Sequence, residues 1–469
     1  MEPNDLKERF SAAEPSLEVG PGSLDAVKAR GDQRTRRARA GGGLAAVLVF
    51  IVVGFGIFAF AADRNPSTLD VTDDNVIVDD DGEATIDNPN EENTDENAVS
   101  SGAWVTNGTL NEADFSYVGS FTTPAEIGGS EIGFGGRAAA YNPAGDGSLF
   151  IAGFPVDGLV AEISIPEFSP HEGSRTDLVE SELLQPLTDI TEGRAASLIG
   201  SQERGGQGQF NIGGLEVVGD RLHWTAWQVS DVVGNDVAGH GHSSLNLDEP
   251  DVQGPWFLGD FAAYETAGYV FDVPQTYADE FLDGNQLVSG FQPVLRSPLG
   301  SQGPPFFAFT PPEAEEPEAR LDAIELANFE FGSAESTSFG DEAVFPGGEW
   351  VSTSDNRHAV AVVGNTMRLE ANTDCTLGTE TDVAAHGPQI ALYDPAVLAS
   401  VATGNAEPSS VEPYQIISLE ADVIPTCGAQ ITSVSFDAAN ERLFVVQALA
   451  TATETIFDAR PVIHVFSIG

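Results

Sequence analysis

Residues 431–448 read ITSVSFDAANERLFVVQA: an alternating apolar run, the turn Ala439-Asn440-Glu441, and a second apolar run with an aromatic near its start. The same piece recurs as AAAYNPAGDGSLFIAG (138–153) and GLEVVGDRLHWTAW (214–227), with Gly145-Asp146-Gly147 and Gly219-Asp220 at the turns. Period-two alternation marks a strand with one buried face, and Gly, Asp and Asn supply the positive φ of a tight hairpin at little cost. A second piece follows these hairpins: AEISIP (161–166), GYVFDVP (268–274), QIALYDP (389–395) and IHVFSIG (463–469). Each is a short alternating strand, and the first three end at Pro, which cannot continue a ladder.

An inner hairpin followed by an outer strand is the plan of a propeller blade. The 366 residues from Trp104 onward, at about 40–50 residues per blade, allow five to seven irregular blades once insertions are set aside. The expected fold is all-β: a β-propeller of about five to seven irregular blades, preceded by one transmembrane helix. A strand at 115–121 can complete the last blade and remove an exposed edge. A pair of β-sandwiches is the alternative architecture. Helical periodicity is confined to 321–329 and 394–401.

The transmembrane expectation comes from residues 41–62, GGGLAAVLVFIVVGFGIFAFAA, which carry no charge. As a helix these span roughly 33 Å, against a hydrocarbon core of about 30 Å. Residues 1–40 hold eight basic groups, six of them within 13 residues of the apolar run. The positive-inside rule then puts a basic tail (1–40) in the cytoplasm and the C-terminal domain outside the cell membrane, in a single pass. A cleaved signal peptide is the rival, since Ala59-Phe60-Ala61 is a small-x-small site, but the run exceeds a signal h-region and the n-region is long. Residues 63–103 hold thirteen acids and few aromatics, and read as an extended, disordered linker. Asp79-Asp80-Asp81-Gly82 fails as an EF-hand, because Ile77 and Asn88 fall where the loop needs Asp and Glu. The domain itself is 104–469.

Beyond Ala62 there are 66 acids, twelve Arg and no Lys, a net of −54. Such a field repels nucleic acid and anionic headgroups, and suits solubility in a salty medium or cation binding. Cys375 and Cys427, 52 positions apart, are the only cysteines. In an oxidising compartment they are expected to form a disulfide worth about 3–4 kcal/mol; two free buried thiols are the other reading, and CxxC zinc spacing is absent.

STSDNRHAVAVVGNTMRLE (352–370), PQIALYDPAVLASV (388–401) and ARPVIHVFSIG (459–469), with AAAYNPAGDGSLFIAG and VAEISIP (160–166), resemble a group of exported bacterial β-propeller-like proteins. The resemblance covers roughly 115–469. It implies the fold and the compartment, and assigns no activity and no functional residues. WD40 and kelch signatures are missing, and Thr353-Ser354-Asp355-Asn356-Arg357 lacks the Gly and Trp of a sialidase Asp box.

No GxSxG, HExxH, P-loop or paired CxxC is present. Two constellations can carry chemistry. His240-Gly241-His242 can turn two imidazoles toward one divalent cation, with Asp231, Asp236 and Asp248 as further ligands; two solvated histidines in a Gly-rich insertion are the plain alternative. Asp355, Arg357 and His358 interrupt two strand-like runs. There an Asp–His pair can orient a general base while Arg357 holds an anion, or all three simply build a turn. Arg137 and His386, each beside Gly before a strand, can join the same mouth. Trp224 and Trp227 are candidates for sugar stacking or core, and His464 for packing. The functional expectation is a membrane-anchored domain binding an extracellular ligand or protein; the alternative is a cation-assisted hydrolase or lyase acting on extracellular carbohydrate or ester.

Overall fold

In the computed structural model the described residues are 103–124, 132, 135–154, 157–170, 178–195, 210–228, 238–261, 263–291, 301, 303–312, 318–329, 336, 338–339, 343–368, 385–424, 430–451 and 459–469. Their strands form five sheets, each an antiparallel set of four. Blade I comprises Ala139–Asn142, Ser148–Ala152, Val160–Ser164 and Leu183–Thr188. Blade II comprises Phe210–Val218, Arg221–Gln228, His240–Ser244 and Gln253–Leu258, with Arg320–Leu321 added in parallel at its edge. Blade III comprises Tyr269–Asp272, Leu287–Gly290, Phe306–Phe309 and Ile324–Ala327. Blade IV comprises Ala343–Ser352, Arg357–Arg368, Ala385–Tyr393 and Gln415–Ser418. Blade V comprises Gln430–Asp437, Arg442–Ala448 and Val462–Ile468, and is completed by Phe115–Thr122 from the other end of the domain.

The first strand of each blade packs against the first strands of both neighbours, V against I included, so five inner strands ring one axis. This is a five-bladed β-propeller, closed by the strand expected at 115–121. Each interface between blades has its own apolar core: Phe150 with Leu215 and Trp224 between I and II, Trp256 with Phe307 and Phe309 between II and III. Phe271 and Phe306 meet Phe345 and Trp350 between III and IV, Val351 meets Leu443 between IV and V, and Leu149 meets Phe444 between V and I. Buried apolar area is thus spread around the ring, which no single blade could bury alone.

Because the four strands alternate in direction, the turn from first to second strand lies at one end of the axis in every blade (the hairpin face). The connections into each inner strand lie at the other (the mouth face). Trp104 stands on the hairpin face, its ring 5.2 Å from Tyr277, 5.8 Å from Phe281 and 5.6 Å from His358, centroid to centroid. Its backbone N–H donates to Glu280 Oε2 at 2.8 Å, and Gly108–Thr109 pairs in parallel with Arg357 and His358. This strap is expected to matter: Trp104→Ala should cost about 2 kcal/mol in urea unfolding, with the loss of an aromatic box. An unchanged midpoint would remove the strap as a stabilising contact.

Two sequence expectations are corrected and one helix is borne out. GYVFDVP is the innermost strand of blade III, not an outer one, because the helix Gln275–Phe281 is inserted where a short hairpin turn would have revealed the tier. Residues 321–329 carry strand, not helix. The helix at 394–401 forms as Pro395–Ala402, capped by Asp394, whose carboxylate accepts from Ala396 N at 2.8 Å. The apolar run 41–62, its basic and acidic flanks, Cys375 and Cys427 lie outside the described residues. Among those described, no helix is long and apolar enough to cross a membrane.

Candidate functional site at the channel mouth

Arg137 enters the structure just ahead of the inner strand of blade I. Its neighbour Gly136 is pinned on both sides, donating to the Ala152 carbonyl at 2.8 Å and accepting from Thr432 Oγ1 at 2.5 Å. The side chain lines a small recess of about 10 Å³, partly open to solvent, on the mouth face between blades I and II. Phe154, Leu159 and Ile212 supply apolar walls and Asn211 a polar border; the other lining positions are Ala152, Gly153 and Gly158. Arg137 Nε has neither exposed surface nor an acceptor among the described residues. Burial lowers the guanidinium's pKa, yet an arginine stays cationic at neutral pH. The site can therefore grip an anion electrostatically, and its described lining residues include no carboxylate, imidazole, hydroxyl or thiol.

A second group of ionisable side chains lies toward the hairpin face. Glu216, Asp272 and Glu349 project from the inner strands of blades II, III and IV, each within a few residues of its strand's end. Burial is the main cause that raises all three; Glu216 is raised further by Glu349 and Asp272, and Glu349 by Asp272. Asp272 is pushed up to about 6. Glu349 Oε1 accepts from Trp350 N at 2.9 Å, whereas Glu216 Oε2 is buried with no partner among the described residues. The sequence reading passed over these acids. Their signal was present as single carboxylates inside apolar runs: GLEVV, VFDV and GGEWV.

His240 and His242 stand in a strand of blade II, not a loop. Strand alternation sends both toward blade III. His240 Nε2 lies 3.1 Å from Ser289 Oγ and 3.3 Å from the Thr266 carbonyl, with Phe309 at its edge. The His242 ring sits 5.2 Å from His223 and 5.5 Å from Trp256. Burial depresses His223 to about 3 and the other two to about 4, so all are neutral at pH 7. Asp231 and Asp236 lie outside the described residues, and Asp248 is exposed on the connection after His242's strand. Among the described residues no group of three or more His, Cys, Asp or Glu is arranged to hold a metal.

Asp355, Arg357 and His358 do come together at the hairpin tip of blade IV, on the face opposite Arg137. Arg357 binds Asp114 through Nη1 at 2.5 Å and Asp355 through Nε at 3.0 Å. Asp355 is held below the usual carboxylate range first by the Thr353 hydroxyl and then by Arg357. His358 instead directs Nε2 to the Val105 carbonyl at 3.2 Å, and its Nδ1 is buried without a partner among the described residues. The expected Asp–His pair is thus replaced by an ion-pair turn and a strap contact. Trp224 is core; Trp227 stacks near Phe291 at 5.0 Å; His464 is buried, with Nε2 2.8 Å from Gln447 Oε1. His386 occupies a backbone position opposite Met367 in blade IV.

No protein-family model and no curated protein matches the chain. Solved structures similar to it include a mannose phosphorylase from Leishmania mexicana, at 9% identity over 77% of this chain and 89% of that one, TM-score 0.35. A Bacteroides ovatus xyloglucan-locus GH43B protein is 11% identical over 75% of this chain and 56% of that one, TM-score 0.34. An α-L-arabinanase from Penicillium chrysogenum is 11% identical over 75% and 97%, TM-score 0.29. The five-bladed assignment stands on this chain's own ladders and ring of inner strands.

Proposed function

We propose that this chain is a membrane-tethered, extracytoplasmic propeller that holds a ligand at the channel mouth and does not transform it. One observation carries the reading: among the described residues the mouth recess is lined by a single ionisable side chain, Arg137, with Phe154, Leu159, Ile212 and Asn211 around it. Proton transfer at neutral pH needs a group that titrates there, and guanidinium does not. The tether rests on the apolar run at 41–62 and its basic flank. Residues 104–114 meet the domain on the hairpin face, so a chain arriving there leaves the mouth open to a ligand from outside.

The buried carboxyls Glu216, Asp272 and Glu349 favour a second reading, a hydrolase or lyase acting on extracellular carbohydrate or ester, since such chemistry uses carboxyl groups of unequal proton affinity. Full-length chain in detergent, incubated with p-nitrophenyl esters and glycosides, discriminates the two. The binding reading expects release no faster than the protein-free blank. Turnover that disappears in Glu349→Gln would overturn it in favour of the second.

A further inference from the structure

We propose that Arg137 is the receptor for a monoanionic carboxylate, seated with its oxygens on the guanidinium fork; this rests on reading the mouth as a ligand site. Beyond Ala62 the chain has 66 acids against twelve Arg and no Lys, so any cation there is surrounded by willing partners.

The described arginine side chains bear this out, with one exception. Arg221 pairs with Asp251 at 2.9 Å, Arg442 with Asp437 at 2.8 Å and Arg460 with Glu180 at 3.0 Å. Arg357 bridges Asp114 and Asp355, Arg320 lies 3.9 Å from Asp260, and Arg194 donates to the Gly254 carbonyl at 3.3 Å. Arg137 alone has no hydrogen bond or ion pair among the described residues, although its Nε is cut off from solvent. The side chain as a whole is half-buried; holding a charge partly out of water without a partner is costly, and arginine cannot escape the cost by losing its proton. No carboxylate among the described residues reaches this guanidinium, which leaves the fork for a carboxylate from outside.

The same numbers select the ligand's charge. A dianion meets twice the repulsion of a monoanion from the acidic surroundings, for one compensating cation. The planar fork matches the two oxygens of a carboxylate. Phe154, Leu159 and Ile212 give the recess apolar walls, and its volume of about 10 Å³ limits the ligand there to a small carboxylate.

The test is a titration of the full-length chain in detergent, in chloride-free buffer, with acetate, butyrate and benzoate, and with acetamide as the neutral isostere. Saturable heat on carboxylate addition, none with acetamide, and at least tenfold weaker binding in Arg137→Gln are expected. The variant should melt no lower than the wild type without anion, because an unpartnered charge has been removed, so lost binding cannot be attributed to misfolding. No carboxylate binding by wild type, or equal binding by the variant, overturns the proposal. So does saturation by chloride that carboxylates cannot displace, which would make the mouth an inorganic anion site. Hydrolysis of the nitrophenyl substrates with carboxylate binding intact would remove the non-catalytic reading and leave Arg137's role standing.

Discussion

Gly213→Ala should destabilise the propeller far more than Gly219→Ala. A Cβ at Gly213 would lie inside the van der Waals contact of the Ala267 carbonyl oxygen, part of the backbone leading into the inner strand of blade III. The obstructing atom is main chain, so relief requires two inner strands to separate, and the interface of Trp256, Phe307 and Phe309 separates with them. Overpacking of this kind costs about 3 kcal/mol or more, a large part of a typical stability of about 5–15 kcal/mol. Gly219 has φ +62 in the hairpin turn, and nothing lies within 4 Å of a Cβ there. Alanine at that position carries only the left-handed backbone penalty, about 1–2 kcal/mol. Circular dichroism and urea melts of the two variants separate close approach at the ring from ordinary turn strain; equal losses would refute the tight inner ring.

Glu349→Gln should stabilise the protein at pH 8 and give no gain at pH 4. The Glu349 carboxyl is raised by burial first and by Asp272 next. A carboxyl raised in the fold binds its proton more tightly there than in the unfolded chain. Its favourable share is complete below the unfolded value of about 4.3 and is lost as pH rises through the folded value. Asp272, at about 6, loses its share between roughly pH 4 and 6. As pH rises toward 8 the unfolded chain ionises Glu349 freely while the fold resists it, and removing the carboxyl should return about 1–4 kcal/mol. His223, His240 and His242 act in the opposite sense. Their depressed values favour the fold above pH 6.5, and that advantage is lost as pH falls toward 4. The wild-type pH curve therefore mixes two opposed sets, and only the difference between Glu349→Gln and wild type isolates the carboxyls. A difference that is flat with pH, or that grows toward acid, would contradict the buried-acid account.

How far the sequence could be read follows from these particulars. The inner hairpins of blades I, II and V were legible because short Gly, Asp and Asn turns join their strands, and the closing strand near 115–121 was legible because a propeller's last blade otherwise keeps an open edge. Blade III was not, since Gln275–Phe281 separates its first two strands and leaves GYVFDVP looking like an outer piece. His240-Gly241-His242 suggested a loop because of its Gly, yet in a strand that Gly lets the Trp224 ring lie close while both imidazoles point into the next blade. Arg137 could be flagged only as a Gly-flanked position before a strand. Its isolation depends on where the acids of distant blades come to rest, which no local pattern encodes.

The most direct test of the central claim is the ¹⁵N–¹H spectrum of arginine side chains in the labelled full-length chain, recorded while acetate is added. The account predicts that one Nε–H signal, the one missing from Arg137→Gln, moves saturably with acetate and stays fixed with acetamide. If that signal does not respond to carboxylates at concentrations that saturate other probes, the mouth of the propeller is not an anion site, and the proposed ligand class falls with it.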